Sequence, residues 1–168
     1  MARRPMFRSP IPFVVAALIV SVAVSARQGA SHAVPEDFVI KLERTTCFGA
    51  CPAYSVAMDA KGNVTYDGKK FVRVVGTQTT RVSVDQVAAL ADAVKRIRFF
   101  DLNDSYRTVR NADGSETIVT DLPTTIVTVT SDGRSKQVVD YFGAPDSLKA
   151  LEKQIDETAG TKRWVTPG

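Results

Sequence analysis

Alternation of apolar and polar residues along much of the chain is the feature that most constrains its fold. In the run 38–43, every second residue is large and apolar, beginning with Phe38. Side chains of a strand point alternately to its two faces, so this period predicts a half-buried strand. Further strand runs, marked by alternation or by β-branched residues, lie at 54–58, 64–66, 71–79, 123–130 and 135–141. We therefore expect about six strands.

Turn residues separate these runs. Asp59-Ala60-Lys61-Gly62 and Ser131-Asp132-Gly133 predict tight turns within hairpins, and Asp67-Gly68 predicts another turn before the run 71–79. Because a short turn joins antiparallel strands, the predicted sheet is mainly antiparallel.

Two segments have the period of an amphipathic helix. Ser83 and Gln86 form the pattern of a capping box ahead of an apolar stripe at 87–97. The second helix follows Pro145, which suits a first helical turn because no intrahelical donor is needed there, and it ends at Gly160. The element order ββββαββα predicts an α+β fold with both helices packed on one face of the sheet.

Residues 1–26 have the three regions of a secretory signal peptide. Arginines precede an apolar run at 11–24, which is short for a transmembrane helix. Cleavage is expected after Ala26, with Ala33 as a second option, and retention as a membrane anchor is the alternative. We therefore expect an exported protein, either periplasmic or extracellular.

Behind this leader we expect a linker at 27–36, a single α+β domain at 37–160 and a C-terminal tail at 161–168. Residues 103–121 are polar and have no sustained period, so they are expected to form the longest irregular loop. The formal charge of +4 comes largely from three arginines of the leader. The domain is close to neutral, and this speaks against nucleic acid as a partner.

Histidine is almost absent, and this limits the possible chemistry. The only histidine, His32, lies in the linker or is lost with the leader. A Ser-His-Asp triad, a Cys-His pair and a histidine-rich metal site all need imidazole in the folded domain. No spacing of carboxylates suggests an acid–base pair, and no glycine-rich phosphate motif is present. We expect no catalytic residues, no metal and no cofactor.

Cys47 and Cys51 are the only cysteines, and in an oxidising compartment such a close pair is expected to form a disulfide. The bond needs a Cα separation of about 4.4–6.8 Å, and Gly49 allows a tight turn. The alternative is a redox-active or copper-binding pair, because Cys-x-x-x-Cys-Pro is also the spacing of copper-delivery proteins with a thioredoxin-like fold. Those proteins add a distant histidine and follow the pair with a helix, whereas Pro52 leads into a strand.

Arg44 allows two interpretations beside this pair. It lowers a thiol pKa if it lies close to one, and otherwise it is expected to pair with a carboxylate or to stack on Phe48.

The segment around the cysteines resembles a known bacterial family. The residues that carry the resemblance are Arg44, Cys47-Phe48-Gly49, Cys51-Pro52 and Tyr54. Together with the turn and strand residues at 62–68 and a second half at 121–158, they resemble the family described as domain of unknown function 6438. The resemblance implies an exported or envelope-associated bacterial protein. It implies no activity, because none is assigned to the family.

The expected function is a non-catalytic binding or structural module stabilised by a Cys47–Cys51 disulfide. Its partner is an unidentified envelope protein or ligand, which binds the sheet face or the 103–121 loop. Membrane contact is expected only if the N-terminal apolar segment is retained. The alternative function is thiol–disulfide exchange or copper handling by the two cysteines.

Overall fold

The computed structural model describes residues 34–165 of the chain. The predicted signal peptide 1–26, the linker residues 27–33 and the last three residues lie outside this part. Within residues 34–165, no helix is both long enough and apolar enough to cross a membrane.

The predicted strands and helices follow one another in the expected order. Within residues 34–165 the structure adds three short strands, a 3₁₀ turn and a third helix. The strands in the described part are β1 (Val39–Arg44), β2 (Ala53–Asp59), β3 (Asn63–Lys70), β4 (Gly76–Arg81), β5 (Ser105–Tyr106), β6 (Thr108–Arg110), β7 (Glu116–Ile118), β8 (Thr125–Ser131) and β9 (Arg134–Asp140). The helices in the same part are α1 (Val84–Arg96), α2 (Asp146–Ala159) and the short α3 (Lys162–Val165). A 3₁₀ turn, Phe99–Asp101, follows α1.

Seven strands form one sheet in the order β4-β3-β2-β1-β8-β9-β5. Every pairing in it is antiparallel except that of β5 with β9, and β6 and β7 form a separate hairpin. The predicted α+β class is confirmed. The sheet has seven strands and not six because β5, inside the stretch 103–121 that was expected to be irregular, pairs with the end of β9.

One face of the sheet is the core face. Ile40 stands opposite Met58 on one side and Val129 on the other, and all three side chains are fully buried. The apolar stripes of α1 and α2 belong to the same buried cluster, so both helices cover this face, as predicted. The alternation in sequence therefore corresponds to a sheet with one face in the core and the other towards solvent.

The ends of the helices follow local sequence signals. The Ser83 hydroxyl accepts from the backbone N–H of Gln86 at 3.2 Å, and Gln86 Oε1 accepts from the N–H of Ser83 at 3.0 Å. The predicted capping box is therefore present. Gly160 ends α2 in the left-handed conformation at φ 66°, which costs glycine little.

The turn predicted at Asp67-Gly68 is wrong, because both residues lie inside β3 and the chain reverses at 71–75. A Cβ at Gly68 would collide with the carbonyl oxygen of Val74 and the hydroxyl of Tyr66. Glycine is needed there for close packing, since the chain folds back over the strand, and not for a turn.

Residues 161–165, assigned above to a tail, pack on the domain. Trp164 is buried and its ring stacks on Tyr66 with centroids 4.8 Å apart. Its carbonyl also accepts from the backbone N–H of Val74 at 2.9 Å. These contacts hold α3 against the turn 71–75.

Candidate functional site

The candidate site lies at one end of the sheet. Arg44 at the end of β1 stands opposite Tyr54 at the start of β2 and Thr125 at the start of β8. The antiparallel register brings the connections that contain 45–52, 71–75, 121–124 and 141–145 to this same end. We call it the disulfide end.

Cys47 and Cys51 are joined by a disulfide with a Cα separation of 5.6 Å. This pairing agrees with the disulfide expected from the sequence. Gly49, inside the closed loop, has φ 152°, and its N–H donates to the carbonyl of Cys47 at 2.9 Å. The bond thus closes a five-residue turn.

Hydrogen bonds tie this turn to the neighbouring connection. The N–H of Thr45 donates to the carbonyl of Thr124 at 2.9 Å, and the N–H of Thr124 donates to the hydroxyl of Thr45 at 2.9 Å. The N–H of Phe48 donates to the carbonyl of Asp121 at 3.4 Å. The loop is therefore held both by a covalent bond and by its neighbour.

Phe48, at the tip of this loop, is 90% exposed. It does not stack on Arg44, whose guanidinium turns towards α2. An aromatic side chain gains most from burial, so a fully exposed one on a restrained loop is available to a partner.

Arg44 is the centre of a polar cluster between the sheet and α2. Its Nε and Nη2 donate to Asp156 Oδ2 at 3.1 and 2.9 Å, and Nη1 donates to the Thr125 hydroxyl at 2.9 Å. The Tyr54 hydroxyl donates to Asp156 Oδ1 at 2.8 Å, and so does Thr161 at 2.8 Å. Of the two interpretations of Arg44, the pairing with a carboxylate is observed.

The electrostatics of this cluster favour a fixed ion pair. Burial, followed by the negative charge of Asp156, raises the pKa of Tyr54 to about 12, so its hydroxyl stays protonated. Burial acts to lower the pKa of Arg44, but the negative charge of Asp156 and the interactions with Asp156 and Tyr54 outweigh it and raise that pKa. The Arg44 charge is therefore neutralised by Asp156 and is not directed at a cysteine.

Two acidic residues, Glu152 and Asp140, lie near the Arg44–Asp156 ion pair. Glu152 of α2 is only 5% exposed, and burial, followed by the charge of Asp140, raises its pKa to about 7. Burial also raises the pKa of Asp140. Among residues 34–165, no group forms a hydrogen bond with Glu152 Oε1. The pair holds one proton more readily than two separate carboxylates would, because both charges are costly there.

A pocket of about 190 Å³ opens beside the disulfide. Its wall is mainly apolar and includes Cys51, Pro52, Pro123 and Val165, with Tyr54 on the side of the polar cluster. No group of three or more His, Cys, Asp or Glu side chains within residues 34–165 is arranged to hold a metal ion. The site therefore offers a shaped apolar recess next to an exposed aromatic ring.

The motif residues predicted from sequence separate into two groups. Arg44 and Tyr54 meet in the polar cluster, whereas Phe48 and Gly49 lie on the exposed loop. Pro52 lines the pocket between them.

Sequence reasoning missed Asp156, Glu152 and Asp140. One signal was available: Glu152 falls four residues after Leu148, on the apolar stripe of the second helix, where a charged residue needs an explanation.

The profile of the family described as domain of unknown function 6438 matches residues 38–159. The chain belongs to this family. The match extends from the residue before β1 to the last residue of α2, so the family domain includes the disulfide loop, Arg44 and Asp156. No curated protein matches the chain. Membership of domain of unknown function 6438 assigns no reaction or ligand, so function has to be inferred from the site itself.

Proposed function

We propose that the protein is an exported, non-catalytic module of the bacterial envelope that binds a partner protein at its disulfide end. The observation that carries the proposal is Phe48, 90% exposed on a loop that a disulfide closes. The partner covers this ring and places an apolar side chain in the pocket beside Pro52 and Pro123.

The physical support is preorganisation. Ordering a loop on binding costs free energy that must be subtracted from the affinity. The disulfide and the hydrogen bonds from Thr45, Phe48 and Thr124 hold this loop before any partner arrives. An aromatic anchor on a rigid loop next to an apolar pocket is the arrangement expected of a binding hot spot.

The surroundings of the disulfide favour a structural bond over thiol–disulfide exchange. The thiolate of a redox-active cysteine is usually stabilised by a helix N-terminus or a nearby positive charge. Here strand β2 follows the pair, and the guanidinium of Arg44 is paired with Asp156 at 2.9 Å. We expect a reduction potential below about −300 mV, as in structural disulfides. A value near those of thioredoxin-like enzymes would instead support the redox alternative.

Export is tested by expressing the full-length chain in a bacterial host and fractionating the cells. We expect the product in the periplasm or medium, shortened to start after Ala26 or Ala33. A full-length product that stays in the cytoplasm would contradict this part of the proposal.

Binding is tested by site-specific photo-crosslinking from position 48 in the native host. We expect one envelope protein to be trapped from position 48 and not from position 39, where Val39 is also exposed but lies at the other end of β1. With the purified partner, Phe48→Ala should weaken binding at least about tenfold, and Val39→Ala should not. Equal binding by wild type and Phe48→Ala would refute the proposal.

A further inference from the structure

The two edges of the large sheet differ in the features that prevent an edge strand from pairing with another chain. In the part of the chain that the structure describes, no strand pairs with the outer side of β4. At the opposite edge, β5 covers Val139 and Asp140 of β9. The uncovered part of β9 carries Arg134 and Lys136. Charged side chains on an edge strand discourage pairing with another chain.

β4 carries no charged side chain along its middle. Residues 76–80 are Gly-Thr-Gln-Thr-Thr, without proline, lysine or any charge, and only Arg81 ends the strand with a charge. The pairing of β4 with β3 runs through six residues without a bulge. Threonine favours extended structure. The strand is therefore regularly paired with β3, uncharged over residues 76–80, and without a second neighbouring strand in the described part of the chain.

Two exposed valines flank this edge. Val75 is 69% exposed just before β4, and Val84 is 54% exposed just after it. If two β4 strands pair antiparallel, the start of one lies at the end of the other. Val75 of each copy then lies at the same end of the paired strands as Val84 of the other copy, so both ends gain apolar contacts.

We propose that β4 pairs with β4 of a second copy of this chain, about a two-fold axis normal to the sheet near Gln78 and Thr79. This symmetry makes the contact self-complementary and joins the two sheets into one, with the helices of both copies on the same side. It places the two Arg81 side chains roughly 14–20 Å apart along the strands. That separation exceeds the Debye length of about 8 Å at physiological salt, so the two charges do not oppose pairing.

The contact does not depend on the partner proposed for the disulfide end, since Phe48 lies on a different connection. Phe48→Ala should weaken binding of that partner at least about tenfold and leave the dimer intact. Failure of one proposal therefore leaves the other standing.

Sedimentation velocity over a range of concentrations tests the proposal, using protein purified after expression of the full-length chain. We expect the wild type to form dimers as its concentration rises. Gln78→Lys places two lysines directly or diagonally opposite each other at the axis, so the dimer dissociation constant should rise at least about tenfold. Gln137→Lys, which adds the same charge at the other edge of the sheet, is the matched control and should dimerise normally.

Hydrogen exchange provides a readout without substitution. Amides of 76–81 should exchange more slowly at concentrations where the dimer forms, and those of β9 should not change. A wild type that is monomeric at every concentration would overturn the proposal. So would equal dimerisation of Gln78→Lys and wild type, or equal loss in Gln78→Lys and Gln137→Lys.

Discussion

The buried carboxyl of Glu152 makes the stability of the domain depend on pH. Burial and the charge of Asp140 raise its pKa from 4.5 to about 7, while Arg44 and Lys149 partly oppose this and Asp156 adds to it. A group with a raised folded-state pKa binds a proton more tightly in the folded than in the unfolded state. For an acid, the folded state is therefore favoured at low pH and loses stability as pH rises from about 4.5 to about 7.

The size of the effect follows from the shift. Each pKa unit corresponds to about 1.4 kcal/mol, so a rise from 4.5 to about 7 amounts to roughly 3 kcal/mol of stability lost across this range. Glu152→Gln keeps the shape and removes the charge. The variant should match the wild type near pH 4.5 and exceed its free energy of unfolding by about 3 kcal/mol at pH 8.

Urea unfolding at a series of pH values measures this, with the fluorescence of the single tryptophan as the probe. Trp164 is buried against Tyr66, so its emission should report loss of the core. Glu157→Gln on the exposed side of the same helix is the control and should change stability by no more than about 0.5 kcal/mol. A wild-type stability that is flat between pH 5 and 8, or a pH dependence that Glu152→Gln retains, would refute the reasoning.

The remaining predictions concern the disulfide and the ion pair. Reduction, or Cys47→Ser with Cys51→Ser, should lower the free energy of unfolding by about 2 kcal/mol because the closed loop is short, and the double variant should no longer respond to reductant in urea unfolding. Arg44→Met should cost roughly 2–3 kcal/mol, because it leaves the largely buried Asp156 carboxylate without its charged donor. Arg98→Met, which breaks an exposed pair with Asp101, should cost about 0–1 kcal/mol; equal losses in these two variants would contradict the role assigned to Arg44.

Much of the fold was predictable because its signals are local. The capping box at Ser83 and the stop at Gly160 depend on residues within one or two turns of the helix. The alternation that identified β1, β2 and β8 depends on nearest neighbours in the chain. Such signals are readable in the sequence since the partners that satisfy them are only a few residues away.

The predicted turn at Asp67-Gly68 shows where local reading fails. Gly68 matches a turn signal, but its absent side chain makes room for Val74, which the chain brings back over the strand. A glycine can be required either for a turn or for close packing, and only its neighbours in the folded structure show which applies.

Only the part of the candidate site that is local in sequence could be predicted. The cysteines, Phe48 and Arg44 lie within eight residues of one another, so their motif was visible. The partner of Arg44, Asp156, lies 112 residues further along the chain. Asp140 and Glu152 likewise belong to different elements, β9 and α2, and they interact only because the fold places both at the disulfide end.

The sequence by itself determined the approximate positions of six strands and of α1 and α2, the start of α1 at Ser83 and the end of α2 at Gly160, and that the two cysteines are close enough to bond. Tertiary structure alone decided that Arg44 is neutralised by Asp156, that the Glu152 carboxyl is buried near the charge of Asp140, and that no strand within residues 34–165 pairs with the outer side of β4. These properties depend on burial and on distances between groups far apart in the chain, and neither is encoded in any short stretch of residues.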